Sequence, residues 1–222
     1  MKNSVIIEKI NLFRNKFYLN LIIKGILLSI FFSINGFLLI VFLEHLVWFD
    51  SKFRQFIFWG FCISSLIFII YNIIIPFLKI YSFGNIISNK QAANIIGEYF
   101  KDIDDKLLNL LELEEINDKH SDLLIASINQ KTEHLNKFKF EDVINFSSNK
   151  KYLKLLIIPT TIIILIFITG NNQIISESSA RVINYNETFT KPAPFKFILK
   201  NKKLDLIENQ KLKVLLELKG SN

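Results

Sequence analysis

Polar and apolar positions along this chain change period several times. Residues 3–24 place Ile6, Ile10, Phe13, Phe17 and Leu21 three and four apart, with charges between them. That spacing lays one apolar stripe along an α-helix. Three stretches then carry no charged residue: 19 residues from Gly25 to Leu43, 23 from Phe56 to Leu78, and 22 from Leu155 to Ser176. A helix crosses the hydrocarbon core of a bilayer with about 20 apolar residues, so each stretch is long enough to span. Between the second and third, residues 79–154 return to a helical period. Ser88-Asn-Lys-Gln91 fits a capping box, and Ala92, Ile96, Phe100, Ile103, Leu107 and Leu110 form the stripe behind it. A break in that stripe is expected near Asp102. A second helix is expected from Ser121, with Leu124, Ile128 and Leu135 on one face. Past Asn186 the period becomes two. Phe195, Phe197 and Leu199 alternate with polar neighbours, as do Leu204 and Leu206, and then Leu212, Val214, Leu216 and Leu218. Three such runs, about 9 residues apart, read as the opening of an antiparallel β-sandwich.

The pattern predicts a mainly α membrane protein with three transmembrane helices. Residues 1–24 form an amphipathic N-terminal helix, either interfacial or an extension of the first span. Residues 25–78 form a transmembrane hairpin with its tip at Glu44–Gln55, where Trp48 and Phe49 suit interface anchors. Residues 79–154 form a helical module, 155–176 the third span, and 177–222 a β-rich segment with the start of an Ig-like domain. The first apolar run is too long for a cleaved signal peptide, and a second span follows 12 residues later. Three strands cannot close a sandwich core, so the expectation is that a longer protein continues this domain.

Lysine and arginine orient the spans. Residues 1–24 hold Lys2, Lys9, Arg14, Lys16 and Lys24, against Lys52 and Arg54 at the hairpin tip. Lys79 follows the second span, and Lys150, Lys151 and Lys154 precede the third; the next basic residue is Arg181. The positive-inside rule places the N-terminus and residues 79–154 in the cytoplasm, and the tip and C-terminus in the bacterial periplasm.

Composition and charge then exclude several activities. Half of the 222 residues are hydrophobic and 22 are Phe. The net charge of +7 is dispersed and accompanies no nucleic-acid motif, so nucleic acid is not an expected partner. The lone Cys62 lies within the second span and reads as a small packing residue. Residues 98–122 carry nine carboxylates (Glu98, Asp102, Asp104, Asp105, Glu112, Glu114, Glu115, Asp118 and Asp122). They lack the spacing of a calcium loop and read as a solvated face. His45, His120 and His134 show no metal-ligand spacing. A phosphate loop, a nucleophile elbow and a paired-cysteine motif are all absent. No catalytic, cofactor-binding or metal residue is therefore assigned, and no cofactor is expected. Within the spans, Asn35 beside Gly36 suggests close helix contact. Ser64, Ser65, Tyr71 and Asn72 are polar positions, Pro76 falls in a last turn, and Pro159 in a first turn.

Several segments resemble a family of large membrane-anchored proteins of Bacteroidota, catalogued as a domain of unknown function. They are Gln91-Ala-Ala-Asn-Ile-Ile-Gly97 with Asp105-Lys-Leu-Leu-Asn109, then Leu123-Leu-Ile-Ala-Ser-Ile-Asn-Gln-Lys131, Asn149-Lys-Lys-Tyr-Leu-Lys154 and Pro192-Ala-Pro-Phe195. The resemblance implies a longer protein with a periplasmic part of Ig-like and helical or coiled-coil character, and carries over no catalytic residue. The expected function is a non-enzymatic inner-membrane scaffold or interaction protein, with the lipid bilayer and envelope proteins as partners. Homo-oligomerisation is compatible with the pattern. A transport or signal-transducing membrane subunit is the alternative, resting on Asn35, Tyr71, Asn72 and the serines within the spans.

Overall fold

A computed structural model describes residues 3–115, 122–191, 195–200 and 214–220. Helix α1 runs unbroken from Asn3 to Val47, about 68 Å at roughly 1.5 Å per residue. It contains no proline, and its glycines, Gly25 and Gly36, face neighbouring helices. The stripe of residues 3–24 therefore belongs to an extension of the first span. Ile6, Ile10 and Phe13 are fully buried against protein, packed with Ala92, Ala93, Ile96, Ile103, Leu107, Leu110 and Phe140. The apolar faces of the following helices supply the cover that a membrane surface would otherwise give.

The chain turns at Trp48, which takes a left-handed φ of 56°. Helix α2 (Ser51–Ile69) starts on Asp50, whose side chain accepts from the Phe53 N–H. It passes through a π-helical turn at Ile70–Ile74 into α3 (Ile75–Ile80), with Pro76 in the first turn of α3. The hairpin closes tightly at two glycines. A Cβ at Gly25 would lie 2.0 Å from the Asn72 carbonyl oxygen, inside the π turn, and one at Gly36 would lie 3.0 Å from the Phe61 ring. Between these points the Phe32 and Phe68 rings stack at 4.9 Å.

Helix α4 (Asn89–Tyr99) begins with both bonds of the capping box. The Gln91 N–H donates to Ser88 Oγ at 3.1 Å, and the Ser88 N–H to Gln91 Oε1 at 2.9 Å. The stripe breaks at Phe100–Asp102 and resumes in α5 (Asp104–Glu115). Helix α6 (Asp122–Leu135) buries Ile128 and Leu135 in the same core. Ser121 and the Leu124 side chain lie outside the description. Lys9 donates to the Asn136 and Phe138 carbonyls at 2.6 and 3.1 Å, in the turn that follows α6. Two 3-10 turns, Phe140–Val143 and Phe146–Asn149, lead to α7 (Lys150–Leu155).

Helix α8 (Ile157–Ile168) covers only part of the third uncharged stretch. Gly170 takes a φ of 73°, a conformation open to glycine at no steric cost, and ends it. A separate helix, α9 (Asn172–Ile183), follows. The sequence pattern puts residues 172–176 in the third span and 177–183 in the β-rich segment, whereas both belong to this separate helix. It brings Ile174 and Ile175 beside Asn35–Phe42 of α1 and buries Ser178, Arg181 and Val182.

Strands β1 (Phe195–Leu199) and β2 (Leu216–Gly220) pair antiparallel, with Phe197 opposite Leu218 and Leu199 opposite Leu216. This register puts the alternating apolar residues on one face. Lys200 and Glu217 form an exposed ion pair at 3.1 Å. The runs at Leu204–Leu206 and at Leu212 lie outside the described residues.

Candidate functional site

Three helix ends meet where the hairpin turns, far from the helical module. Glu44 stands in the last turn of α1, Arg54 in the first turn of α2, and Arg181 in the last turn of α9. All three are buried, with 1 %, 3 % and 4 % exposure. Glu44 Oε1 accepts from Arg181 Nε at 3.0 Å and lies 3.7 Å from Arg54 Nε. Glu44 Oε2 accepts from the Phe49 N–H at 3.2 Å. One carboxylate thus serves two guanidinium groups and the turn backbone.

Further donors of both guanidinium groups are used. Arg54 donates through Nε to the Phe49 carbonyl at 3.1 Å, and through Nη1 to the Arg181 and Glu187 carbonyls at 3.3 and 3.4 Å. Arg181 donates through Nη2 to Ser178 Oγ at 2.8 Å. Its guanidinium lies 4.0 Å from the Trp48 ring, while that of Arg54 lies 4.9 Å from the Phe189 ring, both cation–π distances. Ser51 Oγ donates to the Tyr185 carbonyl at 2.6 Å. The buried triad keeps one unit of positive charge, and the Glu177 carboxylate, at 3.9 Å from Arg181 Nη1, approaches it from the surface.

Among the described residues, the groups aligned on the carboxylate are hydrogen-bond and ion-pair donors. The arrangement therefore ties three chain segments together. Sequence reasoning placed each member but not their meeting. Glu44 and Arg54 were parts of the hairpin tip, and Arg181 was the first basic residue after the third span. The available signal was a carboxylate directly after 19 uncharged residues, a costly place for an unpaired charge. Trp48, expected as an interface anchor, is half-buried and carries the Arg181 guanidinium over its ring.

The polar residues within the spans do not converge. Asn35 and Asn72 each donate to a carbonyl one turn back in their own helix, Phe31 at 2.8 Å and Phe68 at 2.9 Å. Ser64 does the same with Phe61 at 3.0 Å. Cys62 is a free, partly buried thiol. On the module, Glu98, Asp102, Asp105 and Glu112 are exposed. His45 is partly buried, His134 is exposed with its ring 5.9 Å from that of Phe138, and His120 lies outside the description. Among the described residues no three His, Cys, Asp or Glu side chains cluster as metal ligands. Below the triad, where α8 stands off from α1, an apolar groove of about 440 Å³ opens between Phe37, Phe61, Ile163 and Phe167. It presents no charged group.

The described chain is mostly helical and holds three helical segments long and apolar enough to cross a membrane, as in a multi-pass membrane protein. No family model matches the chain, and neither a curated protein nor a solved structure does.

Proposed function

We propose that this chain is a non-enzymatic scaffold of a bacterial inner membrane, linking a cytoplasmic helical module to a periplasmic β-rich part and holding envelope proteins at both ends. The proposal includes a cytoplasmic N-terminus, a periplasmic C-terminus and membership of the Bacteroidota family that the sequence resembles. One observation carries the reading: α1 is a single helix serving both ends. Its first turns supply Ile6, Ile10 and Phe13 to the module core, and its last turn supplies Glu44 to the buried triad. A continuous helix with both ends packed transmits position across the bilayer, which suits a scaffold. Asn35 and Asn72 each donate to their own helix one turn back, which supports this reading over a transport path.

The test interrupts α1 between its two packed ends. A flexible Gly/Ser insertion after Lys24 should leave the protein in the membrane but fail to restore envelope integrity in a deletion strain. Full complementation by that insertion would overturn the coupling. Reporter fusions at residue 120 and after residue 186 test the orientation, and a periplasmic signal from residue 120 would refute it.

A further inference from the structure

The charged ends of the three spans gather at one level. Lys24 directly precedes the first uncharged stretch, Lys79 follows the second, and Lys154 precedes the third. The fold adds a fixed arrangement to this coincidence. Asn149, 5 % exposed, donates to Asn20 Oδ1 at 2.7 Å and pins the start of α7 to α1. One turn beyond Asn20 stands Lys24, and directly after Asn149 come Lys150 and Lys151. As a result Lys24 Nζ lies 5.3 Å and Lys151 Nζ 5.1 Å from the centroid of one ring, Tyr152. Lys79 Nζ lies 6.0 Å from the neighbouring Tyr18 ring, and the Tyr18 hydroxyl accepts from the Ile87 N–H at 2.9 Å, which fixes that ring. Among the described residues, neither Lys24 nor Lys151 forms an ion pair with a carboxylate.

Two ammonium groups held over one ring repel each other, and nothing anionic from the described protein balances them. At a bilayer boundary the available counter-charge is the phosphate of a lipid headgroup. We propose that Lys24 and Lys151, held over Tyr152, form a binding site for the headgroup of an anionic phospholipid, its acyl chains lying along the adjoining apolar helices. Lys79 and Lys154, at the ends of the other two uncharged stretches, add to the positive field. This rests on the reading that the uncharged helices span a bilayer.

The full chain, purified in mild detergent, is equilibrated with phosphatidylglycerol and phosphatidylcholine of matched acyl chains, and retained lipid is counted by native mass spectrometry. The wild type should prefer phosphatidylglycerol by about 30-fold, the contribution of two lysines near a surface. Lys24→Gln with Lys151→Gln should bring that preference close to parity. Lys52→Gln with Lys191→Gln removes the same charge elsewhere and should leave it in place. Equal retention of the two lipids by the wild type, or an equal loss in both double variants, would overturn the site. So would displacement of the lipid by inorganic phosphate at matched concentration, because the site would then read a free anion. Carbonate extraction of membranes holding the wild-type chain tests the underlying reading separately: release of the chain would refute the bilayer reading, whereas retention with no lipid preference would refute only the site.

Discussion

Arg181 donates to Glu44 at 3.0 Å across 137 positions of sequence, and both side chains are almost wholly buried. The bond joins the last turn of α9 to the last turn of α1. Breaking one side of a buried pair leaves the other charge without its partner, at a cost of about 3–5 kcal/mol. Arg181→Ala should cost less than that, because Arg54 Nε stays 3.7 Å from Glu44 Oε1, and the loss in thermal midpoint in detergent measures it. Glu44→Ala should cost more, because it strands two guanidinium groups. A Glu44 variant milder than the Arg181 variant would refute the shared-carboxylate arrangement.

Phe13 tests the other end of α1. It is fully buried between α1 and the helical module, whereas Leu12, one residue earlier, is 47 % exposed. Truncating a buried Phe costs about 3–5 kcal/mol, while an exposed position changes stability by no more than about 0.5 kcal/mol. Phe13→Ala should open residues 79–154 to protease while the hairpin stays in the membrane, and Leu12→Ala should resemble the wild type. Equal protection in the two variants would show that α1 is not part of the module core.

These two ends differ in how far the sequence foretold them. The stripe from Ile6 to Phe13 was legible as a helix face, because a period near 3.6 is a local property. Its partner was not, since a membrane surface and a protein core ask for the same apolar stripe. The capping box at Ser88 and Gln91 was legible for the same local reason. Helix α9 was not. Its sequence holds three Ser and begins on Asn172, residues that compete for backbone hydrogen bonds and lower helix propensity, and it is held through long-range contacts to α1. The triad was hidden because pairing charges that far apart in sequence needs the third dimension. The period-two runs at Phe195–Leu199 and Leu216–Leu218 were legible as strands, but alternation alone cannot say what covers their apolar face.

Lys9 gives a pH-dependent prediction. Its ammonium reaches the Asn136 and Phe138 carbonyls and lies 5.8 Å from the Phe140 ring centroid. Burial holds its pKa below the ordinary 10.5. The unfolded chain therefore binds this proton more tightly than the folded one. Linkage then makes the Lys9 contribution rise as pH climbs through the lowered value toward 10.5, and level off above it. At neutral pH both states are protonated and the two carbonyl bonds dominate, so Lys9→Met should cost about 1 kcal/mol. The gap between wild type and variant should be flat near pH 7 and widen in favour of the wild type on approaching pH 10.5. Unfolding followed at pH 7, 9 and 10.5 measures it, and a gap that narrows with pH would refute the assignment.

The three glycines of the hairpin form a graded series. Gly25 meets the Asn72 carbonyl, a backbone group within the π turn, and an added Cβ would fall 2.0 Å from its oxygen. Backbone cannot swing aside as a side chain can, so Gly25→Ala must part α1 from the π turn. Overpacking of this kind costs about 1–3 kcal/mol, and this site belongs at the upper end. Gly36 meets the edge of the Phe61 ring at 3.0 Å. That ring can shift by the few tenths of an ångström required, so Gly36→Ala should cost about 1 kcal/mol. Gly60, in the interior of α2, has nothing within 4 Å, and Gly60→Ala should stabilise the helix by about 0.5–1 kcal/mol. Thermal midpoints of the three variants in one detergent give the order directly. If Gly60→Ala were as damaging as Gly25→Ala, the lipid-facing side of α2 would have to be a packed interface, and the hairpin contact would not be what sets the order.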